Sequence, residues 1–190
     1  MKRGKGKMEE IRVVIGSWGS YNECNERALG SKWITFNDYS DFEEIYDELK
    51  KQGFELDGID EELFIQDIEG IGGFNCDYMH PETLFNICQE AGILEKEYRY
   101  KTAIALIEAL GWEEFADKVE SKGNRWDDDI YFHENMDTEE VLEEMVKESW
   151  NIDFDNLGWL GNYITIDYER MARESDGYYE VSNGTLEVRC

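Results

Sequence analysis

A row of acidic side chains marks the helix predicted at residues 138–150 of this 190-residue chain. Glu140, Glu144 and Glu148 are each four residues apart on its exposed face, and Glu139 and Glu143 lie beside them. Like charges at this spacing destabilise a helix by about 0.2 to 0.5 kcal/mol per pair. The chemistry that such a row offers is electrostatic, because it presents fixed negative charges in sequence, as duplex DNA does.

Acidic residues predominate along the rest of the chain as well. The sequence contains 45 Asp and Glu against 19 Lys and Arg, a formal charge of −26 at pH 7. Self-repulsion on this scale opposes compaction, but an aromatic content of 14% supplies material for a core. Neighbouring i,i+4 acids lie about 5 to 6 Å apart, whereas duplex DNA carries one charge per roughly 1.7 Å of axis. Several elements must therefore share the negative surface if it is to approach the charge density of DNA.

The candidate surface combines the acids of two predicted helices with those of the segments beside them. Its members are Asp41, Glu43, Glu44, Asp47, Glu48, Asp57, Asp60, Glu61, Glu62, Asp127, Asp128, Asp129, Glu139, Glu140, Glu143, Glu144 and Glu148. Taken singly, each of these acids is ordinarily a solvated surface residue. Halophilic adaptation is a further explanation of the charge balance as a whole.

Other chemistry finds little support in the sequence. His80 and His133 have no neighbour at metal-ligand or general-base spacing, and we expect them at a helix start and at a strand end. The phosphate-binding and nucleophile motifs G-x-x-x-x-G-K-[ST], G-x-G-x-x-G and G-x-S-x-G are absent. A calcium loop starting at Asp153 fails, because Leu157 and Ile164 occupy positions that need oxygen ligands. We therefore predict no catalytic residue, cofactor or metal site. The 45 acids are too many for the sequence to identify one carboxylate pair that could hydrolyse a glycoside.

The remaining features of composition are those of a cytoplasmic protein. The four cysteines form no C-x-x-C pair and are expected to be small buried residues in the reduced state. No apolar run approaches the roughly 18 residues of a membrane span, and nothing resembles a signal peptide. Residues 1–7 are a basic extension, and Met8 is an alternative start.

The elements predicted for residues 8–73 form a small α+β domain. Residues 11–15 (IRVVI), 31–36 (SKWITF) and 63–68 (LFIQDI) are typical of strands in an antiparallel sheet, and residues 16–20 are turn formers. Ser40, with Glu43 three residues later, predicts a capping box at the start of an amphipathic helix that ends near Gly53.

Two further domains are predicted, a helical one at residues 74–122 and an α+β one at residues 123–190. Helices at residues 81–91, 96–110 and 112–119 make up the first, and residues 121–124 are typical of a linker. In the second, Asp137 caps the helix at residues 138–150, and another helix spans residues 163–174. Asn183-Gly184, between two alternating runs, predicts a terminal β-hairpin.

Four blocks of sequence are similar to one known family. Tyr21-Asn22 followed by residues 30–34 (GSKWI) resembles the YN…G-x-W-I opening of the ArdA antirestriction proteins. Residues 66–72 (QDIEGIG) resemble the HDYEGFGG segment of that family, and residues 160–173 resemble its NYIDYEAFARDL segment, with Thr165 and Ile166 interrupting the compact form. Residues 177–179 (GYY) fit as well, and the blocks occur in family order from about residue 11 to the end.

This resemblance implies an elongated α+β protein of three small domains that forms a homodimer through its C-terminal domain. Apolar positions such as Tyr163 and Ile164 are then candidates for the dimer interface. The family inhibits Type I restriction-modification enzymes by occupying the DNA cleft of the methyltransferase core, formed by specificity and modification subunits, as a mimic of bent duplex DNA. Its genes travel on conjugative elements, and the resemblance implies no catalysis, no direct binding of nucleic acid and no membrane contact.

Two other interpretations stay open at this point. The chain could be a generic acidic interaction module that binds another basic protein, in which case it would bind many basic clefts tightly. It could also be a metal-dependent or carboxylate enzyme, in which case calcium or magnesium would raise its melting temperature in a saturable way.

Overall fold

The chain folds into an α+β protein, as expected from its sequence. The computed structural model describes residues 9–72, 79–149 and 164–189. It divides the chain into two compact units, Met1–Trp126 and Asp127–Cys190, which we call the N-terminal and the C-terminal unit. The finer division into three domains, with boundaries after residues 73 and 122, stays a prediction.

A three-stranded antiparallel sheet lies in the N-terminal unit. Its strands, in the order β2-β1-β3, are β1 (Arg12–Ser17), β2 (Ile34–Thr35) and β3 (Leu63–Glu69). Val13 and Ile15 of the β-branched run point to one face and are fully buried, as the two-residue period of a strand requires. The strand predicted at residues 31–36 is shorter in the structure, because the chain enters a 3₁₀ turn at Phe36–Asp38.

Residues 16–20, predicted as a turn, instead complete β1 and begin a helix. Helix α1 (Trp18–Glu23) is capped by the Ser17 side chain, which accepts a hydrogen bond from the Ser20 amide (3.3 Å). A local side-chain cap is sufficient to start this short helix, although Gly16 precedes the cap and Gly19 lies within the helix. A second 3₁₀ turn, Glu26–Leu29, follows it.

The first acidic helix, α2 (Phe42–Lys51), begins one residue later than the predicted capping box requires. Asp41, and not Ser40, is the N-cap, and its carboxylate accepts from the Glu44 amide (3.1 Å). The Glu44 carboxylate accepts in turn from the Ser40 amide (2.8 Å). The apolar side chains Phe42, Ile45 and Leu49 are buried, so the acids of α2 lie on its outer face.

Three helices follow within the N-terminal unit: α3 (Pro81–Glu90), α4 (Glu97–Leu110) and α5 (Trp112–Lys122). All three were predicted, and His80 begins the first as expected, with Nδ1 accepting from the Glu82 amide (3.3 Å). The rings of Phe36 and Phe42 both contact Phe85. The sheet, α2 and α3 therefore share one apolar core.

The prediction of a linker at residues 121–124 is wrong. Helix α5 continues to Lys122, and a 3₁₀ turn at Gly123–Arg125 leads to Trp126, which is fully buried. The Trp126 indole donates to the Ala91 carbonyl (2.9 Å) and contacts Phe115 edge to face. The unit thus ends on a large aromatic anchor instead of a free linker.

The two cysteines that the structure describes differ in exposure. Cys88 is buried, as predicted, and burial raises the pKa of its thiol. Cys24 is exposed, which corrects the expectation of burial, because it ends α1 with a left-handed backbone (φ 52°) at the surface. Cys76 and Cys190 lie outside the described residues.

The C-terminal unit contains a second antiparallel sheet, in the order β4-β6-β5. Its strands are β4 (Ile130–Glu134), β5 (Tyr178–Val181) and β6 (Gly184–Val188). The predicted hairpin is confirmed with a shift of one residue: Val181 pairs with Gly184, so its two-residue loop is Ser182-Asn183 and not Asn183-Gly184. Gly184 opens the last strand with a positive φ of 148°, and a Cβ there would overlap the His133 carbonyl oxygen.

Two helices accompany this sheet, α6 (Thr138–Ser149) and α7 (Tyr168–Glu174). Asp137 caps α6 as predicted, accepting from the Glu140 amide (2.9 Å). Helix α7 begins at Tyr168, after the N-cap Asp167, whereas it was predicted from residue 163. Residues 164–167 are not helical, and both Tyr163 and Trp150 lie outside the described residues.

Candidate functional site

The acids of α2 form the first part of the candidate surface. Asp41, Glu43, Glu44 and Asp47 are exposed and Glu48 is half-buried, on the side opposite the buried residues of the helix. The last turn carries two cations that pair with two of them, Lys50 with Asp47 (3.6 Å) and Lys51 with Glu48 (3.4 Å). Because such exposed i,i+3 pairs are weak, they leave these carboxylates available to a stronger cationic partner.

Residues 55–62, which we call the acid loop, form the second part. Asp57, Glu61 and Glu62 are exposed, and within the described chain none of the three forms an ion pair with Lys or Arg. Asp60 is different, because its side chain is fully buried. We therefore remove Asp60 from the candidate surface, where the sequence had placed it.

A dense set of donors surrounds the buried Asp60 carboxylate. It accepts from the Glu55 amide (2.8 Å), from the Arg27 guanidinium (3.0 Å) and from the Ser20 hydroxyl. Burial by itself would raise the pKa of Asp60, but the Ser20 and Glu55 hydrogen bonds and the charge of Arg27 outweigh it and hold the pKa below its ordinary value. These donors therefore favour the ionised form of Asp60 in the folded protein.

The third part of the candidate surface is α6. Glu139, Glu140, Glu144 and Glu148 are exposed and Glu143 is half-buried, while Val141, Leu142 and Val146 are buried on the opposite side. The single cation of the helix, Lys147, pairs with Glu143 (2.7 Å), and this hydrogen bond raises the pKa of Lys147. Within the described chain, Glu139, Glu144 and Glu148 form no ion pair.

Asp127, Asp128 and Asp129 begin the C-terminal unit next to β4. Asp128 and Asp129 are exposed, and Asp127 is half-buried. Their backbone also has a structural role, because the Asp129 carbonyl accepts from the Arg189 amide (2.9 Å) and so ties the start of the unit to its last strand. No local pattern in the sequence indicates this contact, which joins residues 60 positions apart.

A further acidic helix, α5, is not among the elements of the candidate surface predicted from the sequence. Helix α5 exposes Glu113, Glu114, Asp117 and Glu120, and buries Trp112, Phe115 and Val119. Lys118 pairs with Glu114 (3.3 Å). The signal was present, because these acids have the same three- and four-residue spacing as those of α6.

A separate group of titratable side chains lies between β4 and β6. Glu187 is largely buried, with His133 Nε2 at 3.0 Å and Arg189 Nε at 2.6 Å from its carboxylate. Burial would raise the pKa of Glu187, but Arg189 and His133 outweigh it and lower that pKa. The partner of His133 was missed because Glu187 is 54 residues away. Both carboxylate oxygens of Glu187 already bind these two side chains, so we interpret the group as a structural contact that stabilises the sheet.

Neither a metal centre nor a membrane span is found in the described ranges. There, no three or more His, Cys, Asp or Glu side chains are arranged to hold a metal ion. Over the same ranges, no helix has the length and apolar character needed to cross a membrane. Of the two dimer candidates, Ile164 is 49% exposed, and Tyr163 lies outside the described residues.

These features define a strongly acidic α+β protein whose helices turn carboxylates outward. The family model for ArdA, described as an antirestriction protein, matches residues 13–187. The chain therefore belongs to the ArdA family of antirestriction proteins. A comparison with curated proteins found no match.

Proposed function

We propose that this antirestriction protein acts as a mimic of bent duplex DNA and occupies the DNA cleft of a Type I restriction-modification enzyme. The target is the methyltransferase core, formed by specificity and modification subunits. The observation that carries the proposal is the set of exposed acids on α2, the acid loop and α6, several of which form no ion pair with a Lys or Arg of the described residues. The family membership supports the antirestriction role itself.

The physical basis is competition between the protein and DNA for the basic side chains of the cleft, which bind phosphates. A DNA cleft is lined by Lys and Arg, which contact the phosphate backbone. A surface of fixed carboxylates gains the same electrostatic complementarity and speeds the encounter, without presenting any base pair. Since one helix carries too few charges to match a duplex, the proposal requires both units to contribute.

Preorganisation favours the protein over the DNA. A duplex that must bend in the cleft loses roughly 1 to 6 kcal/mol to deformation. Carboxylates held on folded elements do not incur this cost when they bind. We infer that the load is distributed, so that no individual acid dominates and no catalytic step is involved.

Assembly is the second part of the proposal. We propose a homodimer formed through the C-terminal unit, with Ile164 and Tyr163 as interface candidates. The exposure of Ile164 supports its part in this, because an apolar side chain at the surface gains from being covered.

Displacement of DNA tests the proposal. The purified chain is titrated into a Type I methyltransferase core bound to labelled target duplex, at a stated salt concentration. We expect displacement with a fixed stoichiometry, and an unrelated DNA-binding protein with a basic cleft serves as the specificity control. Equal displacement from both proteins would favour the generic acidic module, and no displacement from several Type I enzymes would contradict the proposal.

Charge variants of α6 test the distributed load. We expect the single variants Glu140→Gln, Glu144→Gln and Glu148→Gln to displace DNA nearly as well as the parent. Neutralising all five acids of the helix should abolish displacement while the fold persists, since none of the five is buried. A large loss from any one single variant would contradict a distributed surface.

A further inference from the structure

The acid loop is attached to the N-terminal unit through a buried residue of its own. Asp60 is fully buried, although Glu61 and Glu62 after it are exposed, and it binds partners on three different segments. Ser20 belongs to α1, Arg27 to the 3₁₀ turn after it, and Glu55 to the start of the loop. The bond to the Glu55 amide closes the loop on itself, and the other two fasten it to the rest of the unit.

The partners of Asp60 are themselves held in place. The Ser20 hydroxyl accepts from the Asn25 side chain (3.0 Å) and from Arg27 Nε (3.3 Å). Arg27 is mostly buried, with 24% of its side chain exposed. A charged pair removed from water in this way is costly to break, because it leaves one uncompensated charge behind.

Backbone contacts fix the same loop at two further points. The Trp18 amide donates to the Glu62 carbonyl (3.0 Å), and the Ser17 hydroxyl donates to the Ile59 carbonyl (3.4 Å). Gly19 leaves no space between α1 and the loop, because a Cβ there would overlap the Ile59 carbonyl oxygen. The loop is therefore docked against α1 along its second half.

We infer that Asp60 and Arg27 are positioning residues of the inhibitory surface, an inference that rests on the proposed function. They hold the acid loop so that Asp57, Glu61 and Glu62 present their charges in one orientation to the basic cleft. A loop free to move would have to be ordered on binding, and would bind correspondingly more weakly. Asp60 thus serves the surface from inside the protein, without contacting the partner.

Replacing Arg27 distinguishes this positioning role from an effect of charge alone. Removing a cation makes the protein more negative by one charge, so an account based on charge alone predicts equal or tighter binding to a basic cleft. Positioning predicts the reverse, because Asp60 loses its ionic partner and the loop is released. Lys51, whose side chain is 71% exposed on α2, supplies the matched control with the same change of charge.

The experiment compares two matched pairs of variants in the displacement assay. Arg27→Met is compared with Lys51→Met, and Asp60→Asn with Glu23→Gln, which removes an exposed acid of α1 that is not part of the candidate surface. We expect Arg27→Met and Asp60→Asn to need about tenfold more protein for half-displacement, the effect of a loop that is correctly docked about a tenth of the time. The two controls should stay within about twofold of the parent.

Hydrogen exchange of the free variants supplies the readout that binding alone does not. We expect faster exchange in the acid loop of Arg27→Met and Asp60→Asn, with the protection of β1 unchanged. If the parent displaces DNA and Arg27→Met matches Lys51→Met, the inference is wrong and the proposed function stands. Loss of displacement with unchanged exchange in the loop, or loss of protection throughout β1 in both variants, would equally overturn it. A parent that displaces no DNA would refute the proposed function, and the inference with it.

Discussion

The acids at the end of α6 should lower the stability of the C-terminal unit. Glu144 repels Glu140 and Glu148, each four residues away, and these two pairs together cost about 0.4 to 1 kcal/mol at low salt. Glu148 also lies in the last turn, where the helix dipole disfavours an acid by about 0.3 to 1 kcal/mol. The attraction of Lys147 to Glu144 offsets a small part of this.

The double variant Glu144→Gln, Glu148→Gln should therefore be more stable than the parent by about 1 kcal/mol. For a unit of this size, such a gain raises the melting temperature by about 4 to 8 °C. Calorimetry at low salt measures it, and the gain should shrink in 1 M salt, where the screening length is about 3 Å.

A control on α7 distinguishes local repulsion from the overall charge. Glu169 and Glu174 pair with Arg173 (3.2 Å) and Arg170 (2.9 Å), so replacing both by Gln removes the same charge together with two attractive pairs. We expect no gain in stability from this change. An equal gain in both double variants, or no gain in the α6 variant, would refute the argument from i,i+4 repulsion.

Three further predictions concern the N-terminal unit. Because folding lowers the pKa of Asp60, its ionised form stabilises the fold above the ordinary pKa of 3.8, and this contribution is lost as the pH falls through the lowered pKa. Asp60→Asn should remove the contribution. Unfolding followed by circular dichroism should therefore show a smaller difference in stability between the parent and Asp60→Asn at pH 2 than at pH 6. Trp126→Ala should lower the free energy of unfolding in urea by about 3 to 5 kcal/mol, because it leaves a cavity at a buried site and removes the hydrogen bond to Ala91. A loss under 1 kcal/mol would contradict the role of Trp126 as an anchor. Tyr46→Phe should lower the free energy of unfolding by about 1 kcal/mol, because the Tyr46 hydroxyl donates to Glu82 (3.1 Å). Burial and this hydrogen bond raise the pKa of Tyr46 to about 12, so an ordinary pKa in a spectroscopic titration would contradict the contact.

Local signals accounted for most elements of the fold. Pro81 and Asp137 marked helix starts, because a fixed φ and a side-chain acceptor act on the residues next to them. The exposed acids of α2 and α6 followed from their spacing against the apolar residues of the same helices. The boundaries were less accurate, as the cap at Asp41 and the shifted hairpin loop show.

The errors in the candidate site arose from contacts between distant parts of the chain. Asp60 resembles its exposed neighbours in sequence, and only the fold brings Ser20 and Arg27 to its carboxylate. The partnership of His133 with Glu187 likewise depends on the pairing of β4 with β6. A pattern of charges identifies acids on one helix face, but it does not identify which acid of a loop is buried.

The form of the competition between protein and DNA tests the central claim most directly. The apparent dissociation constant of labelled target duplex for the methyltransferase core is measured at increasing concentrations of the protein, at one salt concentration. Occupation of the DNA cleft predicts that this constant rises linearly without limit, because the core cannot hold both ligands. A constant that levels off, with a complex containing core, DNA and inhibitor together, would contradict DNA mimicry and place the binding site outside the cleft.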